Sequence, residues 1–210
     1  MNKDGSMNLF RYWNRLRGDR PAPRRSEIEP AEIKTLLPDT FILERDARGE
    51  AVFRLAGTRL CATYGKELKG HSFPSLWHGR DQETVGRLVH HALDDKSVAT
   101  VAFEGMSREG RINRFELIVL PLEGGQESLR ALGTIQPFMK PFWLGADPIV
   151  ENRIESFRLI DPDREAPLPY DRTALSVPPL QPAGDTVSAR LDGRQGRRIH
   201  HLVVFQGGRT

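Results

Sequence analysis

Only one of the 210 residues, Cys61, is a cysteine, so no disulfide can form within the chain. No apolar run approaches the ~20 residues needed to span a bilayer, and the opening MNKDGSMNLFRYWN lacks the uninterrupted apolar stretch of a signal peptide. A cytoplasmic protein without membrane insertion is therefore expected. Lysine is scarce, and 31 Lys+Arg against 28 Asp+Glu leave a net charge of only +3. The one local basic excess, Arg11 to Arg25, is too short for the basic face with which nucleic-acid binders displace counterions, so nucleic acid is not an expected partner. Enzyme signatures are missing too. Gly57 and Gly65-Lys66 stand too far apart for a phosphate-binding P-loop, and no G-x-S-x-G, H-E-x-x-H or G-x-G-x-x-G occurs. A non-catalytic role follows as the expectation.

What is present reads as one domain with extensions, because 38% hydrophobic residues and a mean hydropathy of -0.48 leave some of the chain outside a core. Leu9, Trp13 and Leu16 recur at helical spacing with Phe10 and Tyr12 on the shoulders and Arg11, Asn14, Arg15 and Arg17 on the other side, which predicts an amphipathic helix over 7–17. Gly18 ends it, an extended connector carries Pro21 and Pro23, and a second short helix is expected between Pro30 and Pro38.

From Asp39 the period becomes two. Phe41 and Leu43, then Phe53 and Leu55, predict a hairpin. A short helix from Thr58 to Tyr64 closes at Gly65. Val85, Leu88, Val89, Ala92 and Leu93 mark a long helix over 80–95. Strands are predicted over 97–104, 112–120 and 129–136. Two strands, a helical block and three strands exclude a doubly wound α/β fold. The class is α+β, with five antiparallel strands and helices covering one face. Beyond Pro141, six prolines between 161 and 182 predict a Pro-rich extension, partly disordered, and Ile199 to Phe205 predicts a late strand.

The stretch GKELKGHSFPSLWHGRDQETV, with Gly65, Glu67, Leu68, Gly70, Ser72, Phe73, Leu76, His78 and Asp81 in order, resembles a PAS domain. So do the later SREGRINRFELIVLPL and ALGTIQPF with its central Gly133. The opening WNRLRGDRPAPRRSEIEPAEIKTLLP and FRLAGTRLCATYGKELKG are similar to a bacterial family of short, stand-alone PAS proteins of uncharacterised function. The resemblance implies an N-terminal helical extension over 1–38, a PAS domain over 39–138 and a C-terminal extension over 139–210. It departs after Gln136, where PFMKPFW replaces the aspartate-isoleucine-threonine exit to an output helix.

By resemblance, a ligand would lie between sheet and helices. Alternation along the strands then nominates Phe53, Leu55, Val101, Phe103, Phe115 and Leu117, facing Tyr64, Trp77, Leu88 and Ala92. Some PAS haem sensors present their iron ligand from the long helix, which nominates His91, although the helical angles put His90 and His91 just outside the apolar arc. Light-sensing relatives carry their cysteine on a later helix, so Cys61 reads as a small core residue rather than a flavin partner. Adjacent histidines on a helix diverge, and His200 and His201 would face opposite sides of a strand, so neither pair is a metal signature. The spacing of Arg11 and Arg15 found in some cyclic-dinucleotide receptors reads here as a solvated face. Leu9, Phe10, Trp13 and Leu16 need a cover, either their own sheet or a second copy, and since PAS relatives often dimerise this way the resemblance nominates them as the interface of a homodimer or with a partner protein. The expected function is a non-catalytic sensory protein acting through ligand-modulated contacts with itself or a signalling partner, the ligand or cofactor being undetermined. The alternatives are a haem or flavin sensor and an adaptor without ligand, bound through Arg11 to Arg25 or the IHHLVVF segment.

Overall fold

The computed structural model describes residues 5–124 and 129–163, and the backbone of 197–199 and 202–204. The chain divides into two units, Met1–Tyr170 and Asp171–Thr210. In the first, helix α1 (Gly5–Arg17) leads through short turns to the hairpin β1 (Thr40–Arg45) and β2 (Ala51–Ala56), then to helices α2 (Thr58–Tyr64) and α3 (Gly79–Asp94). Strands β3 (Val98–Ser107), β4 (Ile112–Leu122), β5 (Arg130–Pro137) and β6 (Ile149–Ile160) follow.

The α+β class holds, but the sheet has six antiparallel strands rather than five, in the order β2-β1-β5-β4-β3-β6. The extra strand, β6, adds to β3 and lies beyond residue 138. Its sequence hides it for a physical reason. Val150 and Glu155 have no Cα partner on β3, so two irregularities break the period-two pattern of a strand that is already half solvated at the edge. The segment between Pro30 and Pro38 forms two 3-10 turns, Pro30–Ile33 and Leu37–Asp39, instead of one helix, since Pro38 interrupts the helical hydrogen bonds. In the second unit, β7 (Arg197–Ile199) and β8 (Leu202–Val204) pair antiparallel, so the late strand expected over Ile199 to Phe205 is two short ones. His200, His201 and the prolines from 167 to 182 lie outside the described residues.

Alternation places apolar residues on both faces of the main sheet. Phe41, Leu43, Phe53, Val101, Phe103, Phe115, Leu117 and Val119 turn to the inner face, under α2 and α3. Ile42, Ile118, Leu120, Leu122 and Leu132 turn to the outer face, under α1. Two positions allow the close approaches this needs. Gly65 ends α2 with φ +62°, and a Cβ on Gly133 would stand 2.3 Å from the Phe41 ring and 2.6 Å from the Ile118 carbonyl oxygen.

Helix α1 is fastened as well as packed. Trp13 is fully buried and its indole N–H donates to the Pro121 carbonyl at 2.7 Å. The hydroxyl of Tyr12 accepts the Glu29 N–H at 2.7 Å. Arg17, expected on the polar side, is only 5% exposed. It donates to the Asp163 carboxylate at 2.7 Å and the Pro162 carbonyl at 3.0 Å, while its guanidinium lies over the Trp13 ring. The connector after α1 also returns to the sheet, with the Glu123 N–H donating to the Pro23 carbonyl at 2.8 Å.

Candidate functional site

The structure brings nine of the eleven nominated residues together: Phe53, Tyr64, Trp77, Leu88, Ala92, Val101, Phe103, Phe115 and Leu117 are all buried in the inner cluster. They form packed core. Six rings run in an unbroken series, Phe41, Phe53, Phe73, Trp77, Phe103 and Phe115, with successive centroids 5.2–5.7 Å apart. Four of the five successive contacts, and a further one between Phe41 and Phe73, are tilted or edge-on, and Phe103 stacks on Phe115, the geometries aromatic quadrupoles favour.

Polar groups enter this layer at its rim. Asn152 of β6 is buried and donates to the Tyr64 hydroxyl at 3.1 Å and to the Leu76 carbonyl at 2.8 Å, tying the end of α2 and the turn before α3 to the edge strand. Burial pushes the Tyr64 phenol well above its usual range, and the Asn152 hydrogen bond opposes this only in part, so Tyr64 stays neutral. The Trp77 indole N–H is buried without a partner. Sequence reading missed Asn152 because it belongs to the unpredicted strand.

Two nominated residues lie elsewhere. Leu55 is 48% exposed and shares the outer face with Ile42. The cause is a bulge: Ile42 pairs with Leu55 but Leu43 with Phe53, so Arg54 is the extra residue and strict alternation from Phe53 fails. His91 has a side chain 53% exposed and meets Asp95 at 2.6 Å, one turn further along α3. It does not enter the inner cluster; His90 likewise faces Asp94. Cys61 is half-buried against the inner core, and burial pushes its thiol up.

The nominated interface is also accounted for. Leu9, Phe10 and Trp13 are buried, and Leu16 partly so, by the outer face of their own sheet. Beneath the start of α1 the outer face turns polar, with Glu116, Thr134 and Gln136 together; the Gln136 amide donates to the Thr134 hydroxyl at 2.8 Å. Burial pushes the Glu116 carboxyl above its ordinary range, and burial also raises that of Asp39 despite the adjacent Arg59.

Among the described residues no group of three or more His, Cys, Asp or Glu is arranged to hold a metal, and no helix is long and apolar enough to cross a membrane. A family model described as PAS domain matches residues 1–136. The chain is similar to the crystal structure of the PAS domain of a protein from Colwellia psychrerythraea, with 18% identity, 54% of this chain and 100% of that chain covered and a TM-score of 0.38. It is also similar to the PAS domain of an HTR-like protein from Haloarcula marismortui, with 18% identity, 51% and 90% covered and a TM-score of 0.36. No curated protein matches the chain.

Proposed function

The chain belongs to the PAS domain family, to which a sensory or signalling role in general attaches, and from that premise we propose a non-catalytic module that works through protein contacts. The contacts are with a second copy or a partner protein, and a small molecule modulates them. One observation carries this reading over a haem or flavin sensor: the space between sheet and helices is occupied by the chain's own rings. Phe41, Phe53, Phe73, Trp77, Phe103 and Phe115 are each at most 1% exposed. A planar cofactor there would have to displace several of them, each worth roughly 1.5–3 kcal/mol of burial. The outward His91, paired with Asp95, supports the same choice.

The test is native mass spectrometry with an absorbance spectrum on the full chain purified without added cofactor. The expected result is the chain mass or a whole multiple of it and no visible band. A bound haem or flavin mass, or a visible band, overturns the reading.

A further inference from the structure

The bulge that moves Leu55 also builds something. With Ile42 it lines a cleft of about 380 Å³ on the outer side of β1 and β2. Bulges commonly re-aim a side chain in this way next to functional sites. Four basic side chains complete the lining: Arg25 of the connector after α1, Arg54 of β2, Lys69 of the loop after α2, and Arg130 at the start of β5. These come from four stretches of sequence, so no linear motif announces them.

The charges are not balanced locally. Among the described residues a single carboxylate, Glu44, meets this group, bonding Arg54 at 3.1 Å and approaching Arg130 at 3.7 Å. Arg25 and Lys69 have no ion-pair partner among the described residues. Several other arginines of this unit stand singly against an acid, among them Arg15 with Glu32, Arg45 with Asp94, Arg59 with Asp39 and Arg114 with Glu155. Four cations gathered around one carboxylate repel one another, and a bound anion relieves that repulsion. Guanidinium groups match the paired oxygens of phosphate, and Lys69 adds a compact charge. The apolar lining of Ile42 and Leu55 gives a ring or short chain a surface to rest on, and the volume falls at the lower end of small-molecule sites.

We propose that this cleft binds a phosphorylated small molecule with an aromatic or apolar moiety, of the nucleotide class. As an account of what the module senses, the proposal rests on the reading above; as a binding site it stands separately, and its test reads binding alone.

That test is calorimetric titration of the full chain with ADP, inorganic pyrophosphate and adenosine, at low and at moderate salt. Saturable ADP binding is expected, with pyrophosphate weaker, adenosine weakest, and ADP affinity falling as salt screens the cleft. The double variant Arg25→Gln, Lys69→Gln breaks no ion pair within the described residues, so its melting temperature should match the parent while ADP binds about tenfold more weakly. Leu55→Ala should weaken ADP and leave pyrophosphate unchanged. Absence of saturable binding by both phosphates overturns the proposal, as does a double variant that binds ADP like the parent or adenosine that binds as well as ADP. ADP binding that survives a visible cofactor band would keep the site and remove only the functional reading.

Discussion

Both faces of the main sheet carry a buried apolar cluster, yet they are covered differently. The inner face is closed by α2, α3 and a series of rings from distant segments, so each ring is held by neighbours on several elements. The outer face is closed chiefly by one helix, α1, with the turns that follow it, and a polar patch lies beneath the helix start. A core built from many elements fails as a whole. A cover built from one helix can open locally while the sheet beneath persists.

The largest effect is expected where the inner face is cut. Phe103 touches both Trp77 and Phe115, and Phe103→Ala should cost about 3–5 kcal/mol, with hydrogen-exchange protection falling in every strand. Trp13→Ala sharpens the contrast. It removes a buried indole and its bond to Pro121, but local release of α1 limits the cost to about 3 kcal/mol. Exchange should rise over 5–17 while the amides of β3, β4 and β5 stay protected; equal loss in all of them would show that the two faces are one cooperative unit.

The smallest effect is expected at Glu116. Its carboxyl is raised in the folded protein, so the stability linked to its proton is complete below the ordinary glutamate value and is lost as pH rises through the folded value. Glu116→Gln should therefore melt at or above the parent at pH 7, with the difference shrinking toward pH 4. A variant less stable at pH 7 than at pH 4, relative to the parent, would mean the charge is favourably held.

Most of the inner face was readable in the sequence because period-two and period-3.6 patterns report burial directly, and Val85, Leu88, Val89, Ala92 and Leu93 are all buried on α3 as the spacing requires. The misses share one cause. Leu55 and β6 follow irregularities of register, which shift a side chain to the other face without any mark in composition. Arg17 looked solvated because polarity alone does not reveal a partner 146 residues away. The basic cleft was illegible for the same reason: Arg25, Arg54, Lys69 and Arg130 become neighbours only through the sheet.

The fastening of α1 also sets an order of events during synthesis. The indole of Trp13 waits for a carbonyl 108 residues further on, and Arg17 for an acid beyond the end of β6. At about 5–20 residues per second, a ribosome needs roughly 5–20 s to supply the first of these. Throughout that interval the apolar side of α1 has no native surface to meet, so this helix is made before the strands it covers and reaches its place after them.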